Sequence, residues 1–353
     1  MSLYTVEIVN PQGSLVADVS SIATSRRFTV RRNRAETIEL GFDLGEAAKI
    51  AATLGTPLLQ LFAPGSSEVR LRRGDRYLVG GQIAYARPSL TADNRALEVR
   101  ATGFLDLFKD RYLFPPDTLS YTADMGQIVA AMMNQNQAKP NGSFGCTVGT
   151  IQASRTITDT WQPFASSLKD IWIGLTDRIN GIDLEFTYDK KLNVYYPGIG
   201  TEKTELLFSY PGTIREIALP VDATQLTNVS INRGAGNGLD QQPVQTRQSL
   251  PSQASYARRE RIDDYPSISV VQTLNDKGDE SLRLGSSPTT VPDVTLDGAT
   301  EPRLGFYWIG DRVRFAVSDP AFAVLDGQTW RINEIDVTVD ENDHETIRLK
   351  VGY

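Results

Sequence analysis

With 353 residues, 40% of them hydrophobic and 22% charged, the chain has the composition of a globular protein of roughly two to four domains, too long for one ordinary core. Its formal net charge of −7 argues against non-specific attraction to a phosphate backbone, which needs excess Lys and Arg. A lone cysteine, Cys146, excludes an intrachain disulfide and a thiolate zinc site. No basic-then-apolar leader and no long apolar run signals secretion or a membrane span, so synthesis in a reducing cytoplasm is expected.

The first hundred residues read as short strands. Apolar residues alternate with polar ones at Tyr4, Val6 and Ile8, at Phe28 and Val30, at Ile38, Leu40 and Phe42, and at Leu97 and Val99. That is the two-residue period of a sheet with one buried face. A helical pattern interrupts them at 45–54, where Ala47, Ile50, Ala51 and Leu54 share one face. Residues 1–105 are therefore expected to form a small β-barrel with a helix plugging one side.

Helical texture follows. Phe104, Leu105, Leu107 and Phe108 lead to a stop at Pro115 and Pro116, and Met125, Ile128, Val129 and Met132 mark the next segment. The clearest helix is predicted over 163–179, with Phe164, Leu168, Ile171, Trp172, Leu175 and Ile179 on one stripe and Gly181 helping to end it. Ile182, Leu184, Phe186 and Tyr188 then alternate, Asp189 to Lys191 turn, and Leu192, Val194 and Tyr196 return. Residues 106–213 are expected to be an α+β middle domain built on a helix and a hairpin.

Strand patterns resume at 214–219 and 228–232, break over the glycine-bearing stretch 234–242, and give way to a helical pattern near Pro266 carrying Val270, Val271 and Leu274. A Ser/Pro/Thr-rich connection after Gly285 leads into the last strands, the final one at 346–351. Residues 214–245 and 295–353 are expected to make a second barrel. A helical insertion, 246–294, is expected to pack with the middle domain. The predicted fold class is mainly β, with two small β-barrels flanking an α+β helix-plus-hairpin domain.

A weak internal repeat supports the paired barrels. Residues 68–86, EVRLRRGDRYLVGGQIAYA, a turn with Asp93 and ALEVRA at 96–101 parallel RVRF at 312–315, GQTWRINEIDVTV at 327–339, a turn with Asp343 and TIRLKV at 346–351. Each reads as strand, turn, strand with an aromatic near its start (Tyr77 or Trp330), turn, strand. Charge is uneven as well: Arg26, Arg27, Arg31, Arg32, Arg34, Arg70, Arg72, Arg73 and Arg76 crowd the first quarter, and Asp336, Asp340, Glu341, Asp343 and Glu345 the end. Solvated strand faces account for such clusters, and so does complementary charge between neighbouring subunits.

This organisation resembles the hub proteins at the tip of phage tails: minor tail proteins of long non-contractile tails and the central hub of contractile baseplates. The carriers are the N-terminal barrel, GFLDLFKDRYLFPP at 103–116, NVSINRGAGNG at 228–238, QASYARRER at 253–261, and GDRV at 310–313 with GQTWRINEI at 327–335. The resemblance implies a structural homotrimer at the tail tip of the virion, with two barrels per subunit making a pseudo-hexameric ring continuous with the tail tube. It implies a tail-tube or distal tail ring protein, a tape-measure protein and downstream tip or receptor-binding proteins as partners. DNA is expected to pass the lumen without specific binding, which an acidic lining favours. Some members carry a further lytic or host-binding domain; none is expected here after the second barrel.

Catalytic, cofactor and metal residues are not predicted. The only histidine, His344, lies in the turn-like run DENDHE, and Cys146 has no activating motif around it. Gly234, Gly236 and Gly238 lack the spacing of a dinucleotide loop and are followed by no phosphate-loop lysine. Asp340, Glu341, Asp343 and Glu345 lack the glycine and distal glutamate of a calcium loop. Phe306, Tyr307 and Trp308 beside Arg312 and Arg314 read as a barrel core strand in preference to a single-strand nucleic-acid platform. The rival readings are a hub of a contractile injection or secretion apparatus, a tail-borne cell-wall hydrolase whose paired carboxylates the sequence cannot display, and a host carbohydrate-binding module.

Overall fold

The computed structural model describes residues 3–92, 94–236, 241–266 and 268–352; Asp93, Gly238 and Tyr353 lie outside them. The alternating segments form strands. β1 (Tyr4–Val9), β2 (Leu15–Asp18), β3 (Ala23–Arg31), β4 (Thr37–Asp43), β5 (Glu68–Arg73), β6 (Arg76–Leu90) and β7 (Arg95–Gly103) lie side by side in the order β2-β1-β5-β6-β7-β4-β3. Helix α1 (Leu44–Thr53), capped by the Asp43 carboxylate on the Glu46 N–H, and the short α2 (Leu58–Leu61) follow β4. Ala47 and Ala51 of α1 are buried in the core, as the helical spacing predicts.

The middle segment holds β8 (Ser120–Asp124), α3 (Met125–Gln137), β9 (Thr147–Ile151), β10 (Thr156–Thr160), α4 (Leu168–Thr176), β11 (Asp183–Phe186) and β12 (Lys191–Tyr195). Its helix and hairpin are where the pattern placed them, but α4 is shorter than 163–179. Ser167 starts it by accepting from the Asp170 N–H, and Phe164, at φ +61°, leaves the helical path to stack on Phe114. Phe164 stays 66% exposed, so the apolar residue before Ser167 belongs to a surface loop and not to a further helix turn. The segment has its own core, in which Phe108, Trp172 and Phe186 meet among Met125, Met132, Leu168 and Val194.

Then come β13 (Glu202–Tyr210) and β14 (Ile214–Ala218), an excursion with β15 (Val221–Asp222), β16 (Val229–Arg233), β17 (Val244–Gln248), α5 (Leu250–Tyr256), β18 (Glu260–Asp264), α6 (Val271–Gly285) and β19 (Thr289–Thr290), and finally β20 (Asp293–Asp297), β21 (Arg312–Val317), β22 (Thr329–Val339) and β23 (Glu345–Gly352). The strand expected at 228–232 does not join the second barrel. As β16 it pairs with β17 and β18 in a separate three-stranded sheet. Its Ser230 and Asn232 are buried, and α6 packs onto it so closely that a Cβ on Gly278 would lie 2.6 Å from Asn232 Nδ2.

Two separate barrels were expected; the structure has one 13-stranded sheet, because β3 pairs with β22 and joins the two halves. No ladder closes either half among the described residues. The second half nevertheless repeats the first. In chain order β3, β4, β5, β6 and β7 match β14, β20, β21, β22 and β23, and both sets have the neighbour order β3-β4-β7-β6-β5 or β14-β20-β23-β22-β21. The irregularities coincide too: the β6–β7 ladder shifts between Ile83 and Tyr85 and the β22–β23 ladder between Ile332 and Glu334, while β3–β4 shifts between Ala23 and Ser25 and β14–β20 between Ile214 and Glu216. β1 and β13 take the sixth place in opposite directions, antiparallel to β5 and parallel to β21.

One core runs under the whole sheet, from Tyr4, Phe28 and Phe42 to Phe315, Trp330 and Leu349. The two aromatics of the sequence repeat part company: Trp330 is buried there, whereas Tyr77 faces outward and stacks on Tyr188 at 3.9 Å.

Candidate assembly surface and the joint behind it

The three parts of the chain meet at Asp183, the first residue of β11. Its Oδ1 accepts from Asn33 Nδ2 at 2.7 Å, in the β3–β4 turn, and its Oδ2 accepts from the Ile199 N–H at 2.9 Å and from Arg331 Nη2 of β22 at 3.0 Å. Asn33 sits at φ +59°, a conformation asparagine tolerates, and its own Oδ1 accepts from the Leu184 N–H at 2.8 Å. Arg331 also donates to the carbonyls of Ile199 and Gly310. One buried carboxylate thus fixes the middle segment to both halves of the sheet.

A second contact pins the β11–β12 hairpin tip to the first half. Lys190, at φ +64° and buried, donates from Nζ to Glu68 Oε1 at 2.6 Å and to the Pro11 carbonyl. Tyr188 packs against Gly80, where a Cβ would lie 2.5 Å from the Tyr188 carbonyl oxygen, and the Arg70 guanidinium covers the Tyr188 ring. At the far side of the middle segment, the Arg178 and Asp159 ion pair, 2.8 Å apart and buried, accepts Thr273 of α6, and Lys277 of α6 donates to the Gly174 and Asp177 carbonyls at the end of α4. A cation there faces the negative end of the helix.

Arginines of the first quarter meet the acids of the end within one chain. Arg26 faces Asp343 at 3.5 Å, Arg27 binds Asp336 at 2.7 Å, Arg31 binds Glu334 at 2.7 Å, and Arg73 grips Glu345 with two nitrogens at 2.5 and 3.1 Å. Four of the clustered arginines therefore find acids within the chain, three of them in the terminal acidic cluster and Arg31 at Glu334 beside it. The exposed pairs contribute register more than stability.

Glu36 stands against Gly103 in a cleft of about 240 Å³ shared with Arg32, Glu185 and Tyr188. Burial, reinforced by the Glu185 and Asp106 carboxylates, pushes its carboxyl up from 4.5 to about 8. Between those values the folded chain holds a proton the unfolded chain has lost, so stability falls as pH rises through that window. Glu36→Gln is expected to flatten this fall: Tm measured at pH 5 and at pH 8 should differ less than in the unaltered chain.

His344 and Cys146 lie in different parts of the fold, the β22–β23 turn and the middle core. His344 occupies a turn in which Asp340 Oδ1 accepts the N–H groups of Asn342 and His344 at 2.8 and 2.9 Å. Cys146 lies in the middle core, and burial pushes its thiol up to about 12, leaving it protonated near neutrality. Gly234 packs against the Ile268 carbonyl. Among the described residues no group of three His, Cys, Asp or Glu side chains is placed to hold a metal, and no helix is long and apolar enough to cross a membrane. Phe306, Tyr307 and Trp308 do not form the expected core strand. They lie in the β20–β21 loop with Tyr307 buried on Phe208, Trp308 under Arg76 and Phe306 exposed.

Asp183, Asn33, Lys190 and Arg331 escaped the sequence reading because a polar residue in an alternating strand or turn looks solvent-facing. The available signal for Asn33 was its place in the basic run Arg31 to Arg34, where asparagine suits a left-handed turn.

Among solved structures the chain is similar over 99% of its length to the 43 kDa tail protein of prophage MuSo2 from Shewanella oneidensis, with a TM-score of 0.65, 14% identity and 98% of that chain covered. The chain has a phage tail-protein fold. A tail protein from Neisseria meningitidis MC58 agrees with a TM-score of 0.62 at 12% identity, covering 99% of this chain and 96% of that one. A chain of a Francisella PdpA–VgrG complex aligns with a TM-score of 0.54 at 8% identity, over 99% of this chain and 57% of that one. No family model and no curated protein sequence matches.

Proposed function

We propose that the protein is a structural hub of a phage tail tip, located in the virion and without enzymatic activity. Three copies form a ring that closes the tail tube, matches its sixfold symmetry to a threefold tip and lets DNA pass on infection. The observation that carries this reading is the duplicated half-sheet. A chain that presents the same five-strand unit twice gives a trimer six such units around its axis. The full-length likeness to two prophage tail proteins supports it. A net charge of −7 suits a lumen that must not retain nucleic acid. Partners of this hub are the tail-tube or distal tail ring protein, the tape-measure protein and the downstream tip or receptor-binding proteins.

The domain plan of this hub has two tube-type units, 1–105 and the strands after 201, with the middle segment between them and the 219–292 excursion as an appended module. Light scattering over a concentration series tests the assembly: three chains per particle are expected, and a monomer at every concentration rejects the ring. The likeness to the PdpA–VgrG chain favours a second reading, the hub of an injection apparatus. Tape-measure and capsid genes beside the coding sequence select the phage tail, and effector genes without a capsid select the apparatus.

A further inference from the structure

The duplication specifies which strands meet between subunits. Inside the chain the halves join where β3 runs antiparallel to β22, with Val339 opposite Arg26, Val337 opposite Phe28 and Ile335 opposite Val30. The ladder shifts align the halves residue by residue. β22 residues 334–339 correspond to β6 residues 85–90, and β3 residues 23–31 correspond to 214–222, which span β14 and β15. Each copy therefore holds one used pair, β3 with β22, and one unused pair of the same construction.

Both unused members have a free edge among the described residues. Residues 84–90 of β6 extend past the end of β5, whose last pair is Glu68 with Gln82, and bond only β7. β14 ends the strand path and bonds only β20, and β15 bonds only β19. We infer that these two edges are the two sides of one subunit contact, with 217–222 of one chain laid antiparallel on 85–90 of a second copy.

The side chains fit that contact. Transferring the internal register sets Leu90 opposite Ile217, Pro88 opposite Leu219 and Ala86 opposite Val221, an all-apolar inner face. Leu90 and Val221 are the two most exposed large hydrophobic residues in the described chain, at 72% and 70%, yet their counterparts Val339 and Val30 are 0% and 4% exposed. On the outer face Asp222 and Arg87 become diagonal neighbours with opposite charge. Pro88 and Pro220 fall in adjacent pairs, only one of which exchanges hydrogen bonds in an antiparallel ladder, so the prolines cost a single bond.

This inference rests on the ring reading, and the test separates the two. Ser89 and Ala218 are directly opposite in the transferred register, and β-strand partners lie within disulfide reach, about 4.5–5.5 Å between Cα atoms. The Ser89→Cys/Ala218→Cys chain is expected to form cross-linked dimers and trimers on a non-reducing gel that dissolve with reductant, while each single variant forms none. Buried Cys146 serves as the internal blank. Leu90→Lys and Val221→Lys, both at exposed sites, are each expected to weaken association about tenfold or more while leaving the Tm of the dissociated chain unchanged. A particle of three chains without cross-links and insensitive to Leu90→Lys overturns this contact and leaves the ring standing. A monomer at all concentrations overturns both.

Discussion

Asp183→Ala is expected to lower the unfolding free energy by about 3–5 kcal/mol, the usual loss when one member of a buried, hydrogen-bonded charge cluster is removed. The carboxylate satisfies Asn33 Nδ2, the Ile199 N–H and Arg331 Nη2, and all three are left in a site where Asp183 itself is only 6% exposed. Arg331 keeps its bonds to the Ile199 and Gly310 carbonyls, which limits the loss. The middle core and the sheet core are distinct apolar clusters, so the joint is expected to set whether they unfold together. Urea unfolding followed by tryptophan fluorescence reads both effects, because Trp172 reports the middle core and Trp330 the sheet. A single unshifted transition in the variant rejects the joint.

Lys190→Ala is expected to cost a similar amount, about 3–5 kcal/mol, for a different reason. Glu68 and Lys190 are both nearly inaccessible, and loss of the ammonium leaves a buried carboxylate without its hydrogen-bond donor. Burial already holds the Glu68 carboxyl above its ordinary 4.5 despite the opposing pull of Lys190 and Arg70. Without Lys190 that carboxyl rises further, and the folded state keeps a proton that the unfolded state releases above 4.5. The deficit of the variant is therefore expected to grow between pH 5 and pH 7. Converting the pair to Lys190→Met with Glu68→Gln is expected to recover more than half of it, since a neutral pair needs no compensating charge. A deficit independent of pH, or a double variant no better than the single, removes the ion pair as the cause.

Both residues show where sequence reasoning stopped. Lys190 belongs to a polar run, Asp189 to Lys191, that reads as a solvated turn; Asp189 is half-buried and Lys191 does face solvent. Lys190 does not, because its turn is pressed against β5 and β6 by the fit of Tyr188 onto Gly80. The apolar stripe of α4 was legible and its start was not, since Phe164 stacks on Phe114 from a loop and stays largely exposed.

Composition and periodicity by themselves determined that the chain is mainly β with an α+β middle, that α1, α4 and the β11–β12 hairpin exist, and that the first and last parts repeat. Those properties follow from local alternation and turn chemistry, which a strand or helix carries wherever it is placed. Only the tertiary structure decided that the repeats share one sheet, that β16 leaves it for its own, and that arginines 26, 27, 31 and 73 find their acids about 300 residues away in the same chain. Pairing across such a separation depends on which edges are free and which faces are apolar at the moment of packing. An edge such as 84–90 or 214–222 differs from an inner strand only in lacking a neighbour, and a neighbour is not encoded in the strand's own residues.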